Sequence, residues 1–584
     1  MNHRRQNKKN RKPFLWVGLL LVCLIAGGLG MAVQGTTANT HLERGLSYEG
    51  QGRLDAAIIE YRAGVKKASD LPELRERLGL AYMAQGEWGM ALGEFQALVD
   101  QFPNHAKGQR ELARLYLAAR RFGDADHALT RAETLEPQSV DLLSLQAEYQ
   151  LAANKNLGEA ERLLQEALAL DPQRMLTMLQ LGNVQLAKEN YPNAREWYGQ
   201  VLSREPKNLD ALLLMGRLEM VDHHQDRAIR LFNEAAQEHP NSPVPHLALA
   251  QVYHVQQNDA LALQALKTAY GLKPGNQSLG YQLVEEYLRQ RKIEEGLALI
   301  KQLVEAYPSQ LQGQFLRGAL LLAAGRVNDS LPDLQTVTRA NPQFVRGRLT
   351  LGMAYEANGS IELAKREFDK ALELDPGSQR IRQHLAALYL KTGNPTEAIR
   401  YANELLDHNP QDAKAREILA TTYLKNEQAE AAYDEFSRML AIAPDYAVAY
   451  FNRGISALGL NKIPETVADF RKALSLQDNL SGPMGAIAVA LAEQKKESIA
   501  DAVLNVLKSH NAKDPVAPYA EALIMLRKGK SSEQASALLD QALSLNAKFL
   551  PALMAKGQVA FAQQDYAQAL THYNEALQLN PKSL

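Results

Sequence analysis

Cysteine is almost missing from these 584 residues; the single one, Cys23, lies in an apolar run near the N-terminus, so everything after it is without disulfides or thiol chemistry and tolerates an oxidising compartment. Aromatic residues are also scarce, at 7% with three Trp, while Ala and Leu recur throughout, a balance that suits stacked helices. Neither sign of charge dominates: 65 Lys and Arg face 66 Asp and Glu. Nucleic-acid recognition normally needs a basic face, and none is apparent. Low-complexity tails are absent. So are the linear signatures of catalysis: no HExxH, paired CxxC, Walker loop or GxSxG occurs, and Gly27, Gly28 and Gly30 belong to the apolar run and form no phosphate loop. No cofactor, no metal and no enzyme activity is expected. His223 and His224 are adjacent in a predicted inter-helix turn, and neighbouring residues do not share a helix face, so they read as solvent-exposed and not as a chelating pair.

What is present begins with charge asymmetry. Residues 1–12 hold six Lys and Arg and no acid, leaving 59 basic against 66 acidic residues in the remainder, a net of −7. An uncharged run from Pro13 to Val33 follows, and at about 1.5 Å per residue it can cross a hydrocarbon core of roughly 30 Å. It reads as a transmembrane helix with the basic tail (1–12) in the cytoplasm and everything beyond the 34–37 link on the opposite side, which in a bacterium with two membranes is the periplasm. A cleaved signal peptide shares this charge pattern, with Thr36-Thr37-Ala38 as the cleavage site, but its apolar stretch is normally about 7 to 15 residues and this one is longer. Bulky Val22 before Cys23 argues against a lipoprotein acceptor.

The remainder, 38–584, repeats itself. Prolines fall at 103, 137, 172, 206, 240, 274, 308, 342, 376, 410 and 444, always 34 residues apart except for one interval of 35. Carrying the period outward reaches Ser69, Asp478, Ala512, Ala547 (after a second extra residue) and Pro581, for sixteen repeats. In the repeat Val345 to Ser378, Leu351, Ala354 and Tyr355 stand at helical spacing, as do Ile361, Ala364, Phe368, Ala371 and Leu372. Gly359 and Ser360 divide the two halves: Gly supplies a left-handed residue that ends one helix, and Ser can cap the next. Pro376 stops the second helix, having no N–H to donate.

These residues resemble the tetratricopeptide repeat (TPR), whose pattern of small residues, aromatics, Gly and Pro at positions 8, 11, 15, 20, 24, 27 and 32 is met by Gly352, Tyr355, Gly359, Ala364, Phe368, Ala371 and Pro376. Position 8 is Gly or Ala in fifteen repeats, with Val284 the exception, and position 20 is Ala in thirteen. The fold class expected is therefore all-α, a TPR superhelical solenoid of sixteen helix-turn-helix repeats after an N-terminal transmembrane helix. The repeats ending at Asp478, Ala512 and Ala547 fit the pattern least well and are expected to open first. An apolar stripe on the last helix, with Tyr566, Leu570 and Tyr573, is expected to be exposed and to invite self-association.

The resemblance also implies a groove formed by positions 2, 5, 9 and 12 of the first helices. Position 5 gives an apolar ladder, Leu179, Leu213, Leu247, Tyr281, Phe315 and Leu349, and position 9 runs beside it with Asn183, Arg217, Gln251 and Glu285. This stretch is the expected partner-binding surface for a protein segment, with apolar anchors giving affinity and polar neighbours giving register. The family's clamp for acidic chaperone tails needs Lys at position 5, which no repeat here has. The expected function is a membrane-anchored scaffold that assembles or tethers envelope proteins, as in exopolysaccharide secretion, pilus or outer-membrane assembly. A soluble periplasmic carrier released by signal cleavage is the alternative, and an organellar preprotein receptor a further one.

Overall fold

A computed structural model describes residues 37–153 and 156–580. The basic tail, the apolar run and Pro581 lie outside the described residues, within which no helix is long and apolar enough to cross a membrane. The described chain is all α-helix apart from its turns and one short 3-10 segment, Asp478–Leu480. By internal packing it divides after Leu279 into two compact bodies, each a stack of helix pairs.

The proline period locates the helices. Every repeat holds a first helix that begins at its first or second position, as in Met175–Ala187, Leu209–Val221, Val345–Ala357 and Gln379–Thr392, and a second that follows a short turn, as in Tyr191–Arg204, Gln225–Glu238 and Ile361–Leu374. The extra residue in the repeat starting at Pro515 falls in its internal turn, between Val516–Arg527 and Ser532–Leu545, where Ser531 caps the second helix by accepting from the Gln534 N–H. An insertion there lengthens a loop and leaves both helices in register.

Position 15 is left-handed in fifteen repeats, but only six of the residues there are Gly; the other nine, such as Arg120 (φ 57°), His223 (φ 60°) and Glu427 (φ 59°), adopt the same conformation with a side chain. The geometry of the turn demands that conformation. A non-Gly residue meets it at a cost of about 1–2 kcal/mol.

Within each pair, position 8 meets position 24. A Cβ added to Gly352 would lie 2.5 Å from the Phe368 ring, and one on Gly182 would lie 2.2 Å from Tyr198, with the same collision at Gly216 and Phe232 and at Gly454 and Phe470. These rings are wholly buried. Where position 8 is Ala, as at Ala113 and Ala250, position 24 is the slimmer Leu129 or Leu266, although Ala420 shares its core with the buried Phe436. The helices thus approach closely because one member gives up its side chain to the other's ring.

Successive repeats are fastened by position 4 and the preceding proline. Arg348 donates to the Pro342 carbonyl at 2.7 Å and to Glu367 at 2.7 Å, Arg416 to Pro410 at 2.7 Å and Glu435 at 2.8 Å, and Gln314 to Pro308 at 3.0 Å. The carbonyl satisfied is the proline's own, two residues past the end of the second helix, and the side chain that reaches it stands six residues on.

The packing rule changes once. Elsewhere in the C-terminal body the second helix of a repeat packs on the first helix of the next, but Ile463–Leu476 packs on the second helix Glu497–His510, and Ser481–Glu493 packs on Val516–Arg527. Two sequence features accompany this. Asp478 takes the place of proline and starts the 3-10 segment, and position 5 is Gly485, at which a Cβ would lie 2.7 Å from Val516.

Candidate functional site: the first-helix face

On a helix, positions 2, 9 and 13 fall within about 20° of one line, while position 5 lies about 60° away. That angle corrects the expected ladder. Leu179, Leu213, Tyr281, Phe315 and Leu349 are all buried, and Leu247 is half-buried. Position 5 is turned toward the next first helix: the Tyr281 hydroxyl fills the space left by Gly313, 2.7 Å from where a Cβ would stand, and the Phe315 ring meets Phe344 edge-on at 5.0 Å. These side chains hold first helices together and do not form an open apolar surface.

The outward positions are more varied than the ladder suggested. In the N-terminal body Arg217 and Gln251 are exposed, whereas Asn183 is half-buried and accepts a hydrogen bond from the Tyr198 hydroxyl at 2.7 Å, which commits it to its own repeat. Two apolar residues at position 2, Leu176 and Val244, are exposed there and were not singled out by the sequence. Their signal was available, an apolar residue on the polar side of an amphipathic helix.

In the C-terminal body the face holds a cavity of about 350 Å³ lined by Glu285, Leu311, Phe315, Val337, Phe344 and Arg346 among others. Arg346, at position 2, reaches back two repeats to Glu285, at position 9, with 3.1 Å between Nη1 and Oε1. Its guanidinium also lies 5.0 Å from the centre of the Phe315 ring. The pair straps the mouth of a pocket whose floor is aromatic and aliphatic. Both charged side chains are well exposed, at 53% and 39%, so the strap is worth little energetically and opens readily. Of the ten residues expected at the site, Glu285 and Phe315 are brought together here.

The histidine pair separates. His223 is the exposed left-handed turn residue, while His224 Nδ1 lies 3.3 Å from both Glu219 and Asp222. These three groups lie close enough to hold a metal ion. Arg195, however, donates to Glu219 at 2.8 Å and to Asp222 at 2.7 Å, and its hydrogen bond holds the Asp222 carboxyl below the usual range. Arg227 stands 3.8 Å from Glu219. Two guanidiniums already balance the two carboxylates and oppose a divalent cation, so the cluster works as an ionic tie between Tyr191–Arg204 and Leu209–Val221.

With this geometry in hand, comparison with known proteins is direct. Tetratricopeptide-repeat family descriptions match residues 42–106, 110–174, 151–218, 226–277, 281–330, 315–379, 357–421, 390–452 and 551–583. The chain belongs to the tetratricopeptide-repeat family. The TPR matches leave 453–550 between them, the stretch that contains Asp478 and the altered packing. No curated protein matches the chain. Among solved structures, it is similar to the Cut9–Hcn1 hetero-tetramer of APC/C (14% identity, TM-score 0.42, covering 89% of this chain and 96% of that one). It is also similar to a TPR protein from Parabacteroides merdae (22% identity, TM-score 0.34, 45% and 98% covered) and to PilW, a type IV pilus biogenesis factor (15% identity, TM-score 0.30, 35% and 94% covered).

Proposed function

We propose that this TPR chain is a membrane-anchored scaffold that binds segments of other proteins on its first-helix face and thereby assembles or tethers cell-envelope proteins. The observation that carries the binding role is the strapped cavity between Glu285, Phe315, Phe344 and Arg346, an apolar recess beside exposed charges. Such a recess suits one large apolar side chain of a partner, with polar groups at its rim fixing register.

Anchoring rests on the apolar run 13–33 after six basic residues, which favours a single pass with the N-terminus in the cytoplasm and the TPR array in the periplasm. The first helix adds support against cleavage at Thr36-Thr37-Ala38. Thr37 is its N-cap, with Oγ1 accepting from the Thr40 N–H at 3.2 Å, and Ala38 is its first residue. Cutting after Ala38 would remove that cap, a loss of about 1 kcal/mol to the end repeat.

A photo-crosslinking residue at Gln312, exposed at the cavity, tests the binding role in cells. Adducts to one envelope protein that vanish when the probe is moved to the second-helix face support it, and equal adducts from both faces overturn it. Extraction at high pH tests the anchor: a full-length chain staying with membranes supports it, and release of a shortened chain overturns it.

A further inference from the structure

Resting on that reading, we infer that the first-helix face of the repeats starting at Val345, Gln379 and Ala413 binds an acidic protein segment, whose apolar anchor enters the Phe315–Phe344 cavity. Position 2 of these three repeats is Arg346, Arg380 and Lys414, and position 13 of the last two is Lys391 and Lys425. Residues 2 and 13 share a helix face, so the cations form two lines on one surface.

Carboxylates on the same face are few. Glu356 lies 3.8 Å from Lys391, and Glu417 lies 2.8 Å from Lys414 but also accepts from the Tyr446 hydroxyl. Arg380 and Lys425 have no carboxylate partner among the described residues. Five cations against three carboxylates, Glu285 on Arg346 included, leave a local excess of two, in a chain whose 38–584 portion is acidic overall. Leu390, the neighbour of Lys391, and Lys425 line one small recess, which places the position-13 ends of these two adjacent helices side by side. In the N-terminal body position 2 reads Asn39, Glu73, Lys107, Asp141, Leu176, Asp210 and Val244 and position 13 holds no charge, so the one cation there, Lys107, is tied to Glu76 and the basic character is concentrated in this stretch.

The Glu285–Arg346 strap fits the same partner. Glu285 occupies the cation nearest the cavity in the absence of a ligand, and a partner carboxylate takes its place while Glu285 turns to water. Adjacent first helices stand roughly 10 Å apart, so Arg346 to Lys414 spans about 20 Å, the reach of some six extended residues.

Fluorescence anisotropy with the full chain in detergent tests this, using a labelled nine-residue peptide of one Phe followed by alternating Glu and Ser, and its counterpart with Gln for Glu. The acidic probe is expected to bind about tenfold more tightly at low salt and to lose that margin at about 0.5 M salt. Arg380→Glu with Lys425→Glu should weaken the acidic probe about tenfold and leave the Gln probe unchanged. Glu285→Gln should tighten the acidic probe about two- to threefold by releasing Arg346. Gln312→Trp, which plugs the cavity from an exposed position, should weaken both probes. If both probes bind alike and only Gln312→Trp matters, the acidic preference is overturned and the cavity reading survives. If neither probe binds at about 1 mM, where even weak sites fill, both are overturned.

Discussion

The pairing of positions 8 and 24 yields the sharpest prediction about how this array is built. Changing Gly352 to Ala places a Cβ 2.5 Å from the Phe368 ring, well inside contact distance, and the ring is wholly buried with nowhere to withdraw. Overpacking of this kind costs about 1–3 kcal/mol, from which the better helix propensity of Ala returns about 1 kcal/mol, so a net loss of up to about 2 kcal/mol is expected. Phe368→Leu alone leaves a void and should cost about 1–2 kcal/mol. Together the two changes recreate the natural combination of Ala250 with Leu266, and the double variant should be more stable than the sum of the singles by about 2 kcal/mol. Because a repeat array does not unfold in one step, the readout is native-state hydrogen exchange at amides of Val345–Ala357 and Ile361–Leu374. Additive losses, or a Gly352→Ala chain that exchanges more slowly than the parent, would refute the claim that ring and missing side chain are matched.

Other consequences follow from the turns, the fastenings and the buried titratable groups. His223→Gly and Glu427→Gly should each stabilise by about 0.5–1 kcal/mol, because relief of left-handed strain exceeds the entropy Gly adds to the unfolded chain; a loss of stability by local exchange would contradict a turn-imposed conformation. Arg348→Ala should cost about 2 kcal/mol by leaving buried Glu367 with only the exposed Arg366, 3.7 Å away, and Arg348→Met paired with Glu367→Leu should recover most of it in thermal unfolding. His384, held below the usual histidine range by burial and then by Arg380, favours its neutral form when folded; the unfolded chain takes up a proton first as pH falls through about 6.5, so stability declines there, and His384→Gln should flatten the decline. Exchange that is uniformly slow through residues 447–547 would count against early opening of the repeats without proline.

The legible and illegible parts of the chain divide along one physical line. Spacing along a helix reports which residues share a face, and that suffices to place helix pairs from the proline period, although which turn residue is the extra one before Ala547 is visible only in the fold. It does not report which neighbour covers the face. Tyr281 and Phe315 therefore read as an open ladder although the next first helix closes over them, and Asn183 read as free although Tyr198 of its own repeat claims it. Arg346 carries no linear signal, because its meaning lies in Glu285, 61 residues earlier, a relation that only the stacking of three first helices creates.

The repeat starting at Ser481 shows the same limit from the other side. Asp478 in place of proline accompanies a repacking: Gly485 removes the side chain that position 5 otherwise inserts between first helices, and Val516 comes in against its backbone. If that close approach is what holds the altered arrangement, Gly485→Leu cannot be absorbed as a return to the common pattern, because Asp478 and the 3-10 segment still direct Ile463–Leu476 onto Glu497–His510. The added side chain should then cost about 2 kcal/mol, seen as faster exchange across Ser481–Glu493 and Val516–Arg527 with little change before residue 447. A stabilised Gly485→Leu chain would mean that the glycine permits the shift without sustaining it, and that the cause lies in the segment around Asp478.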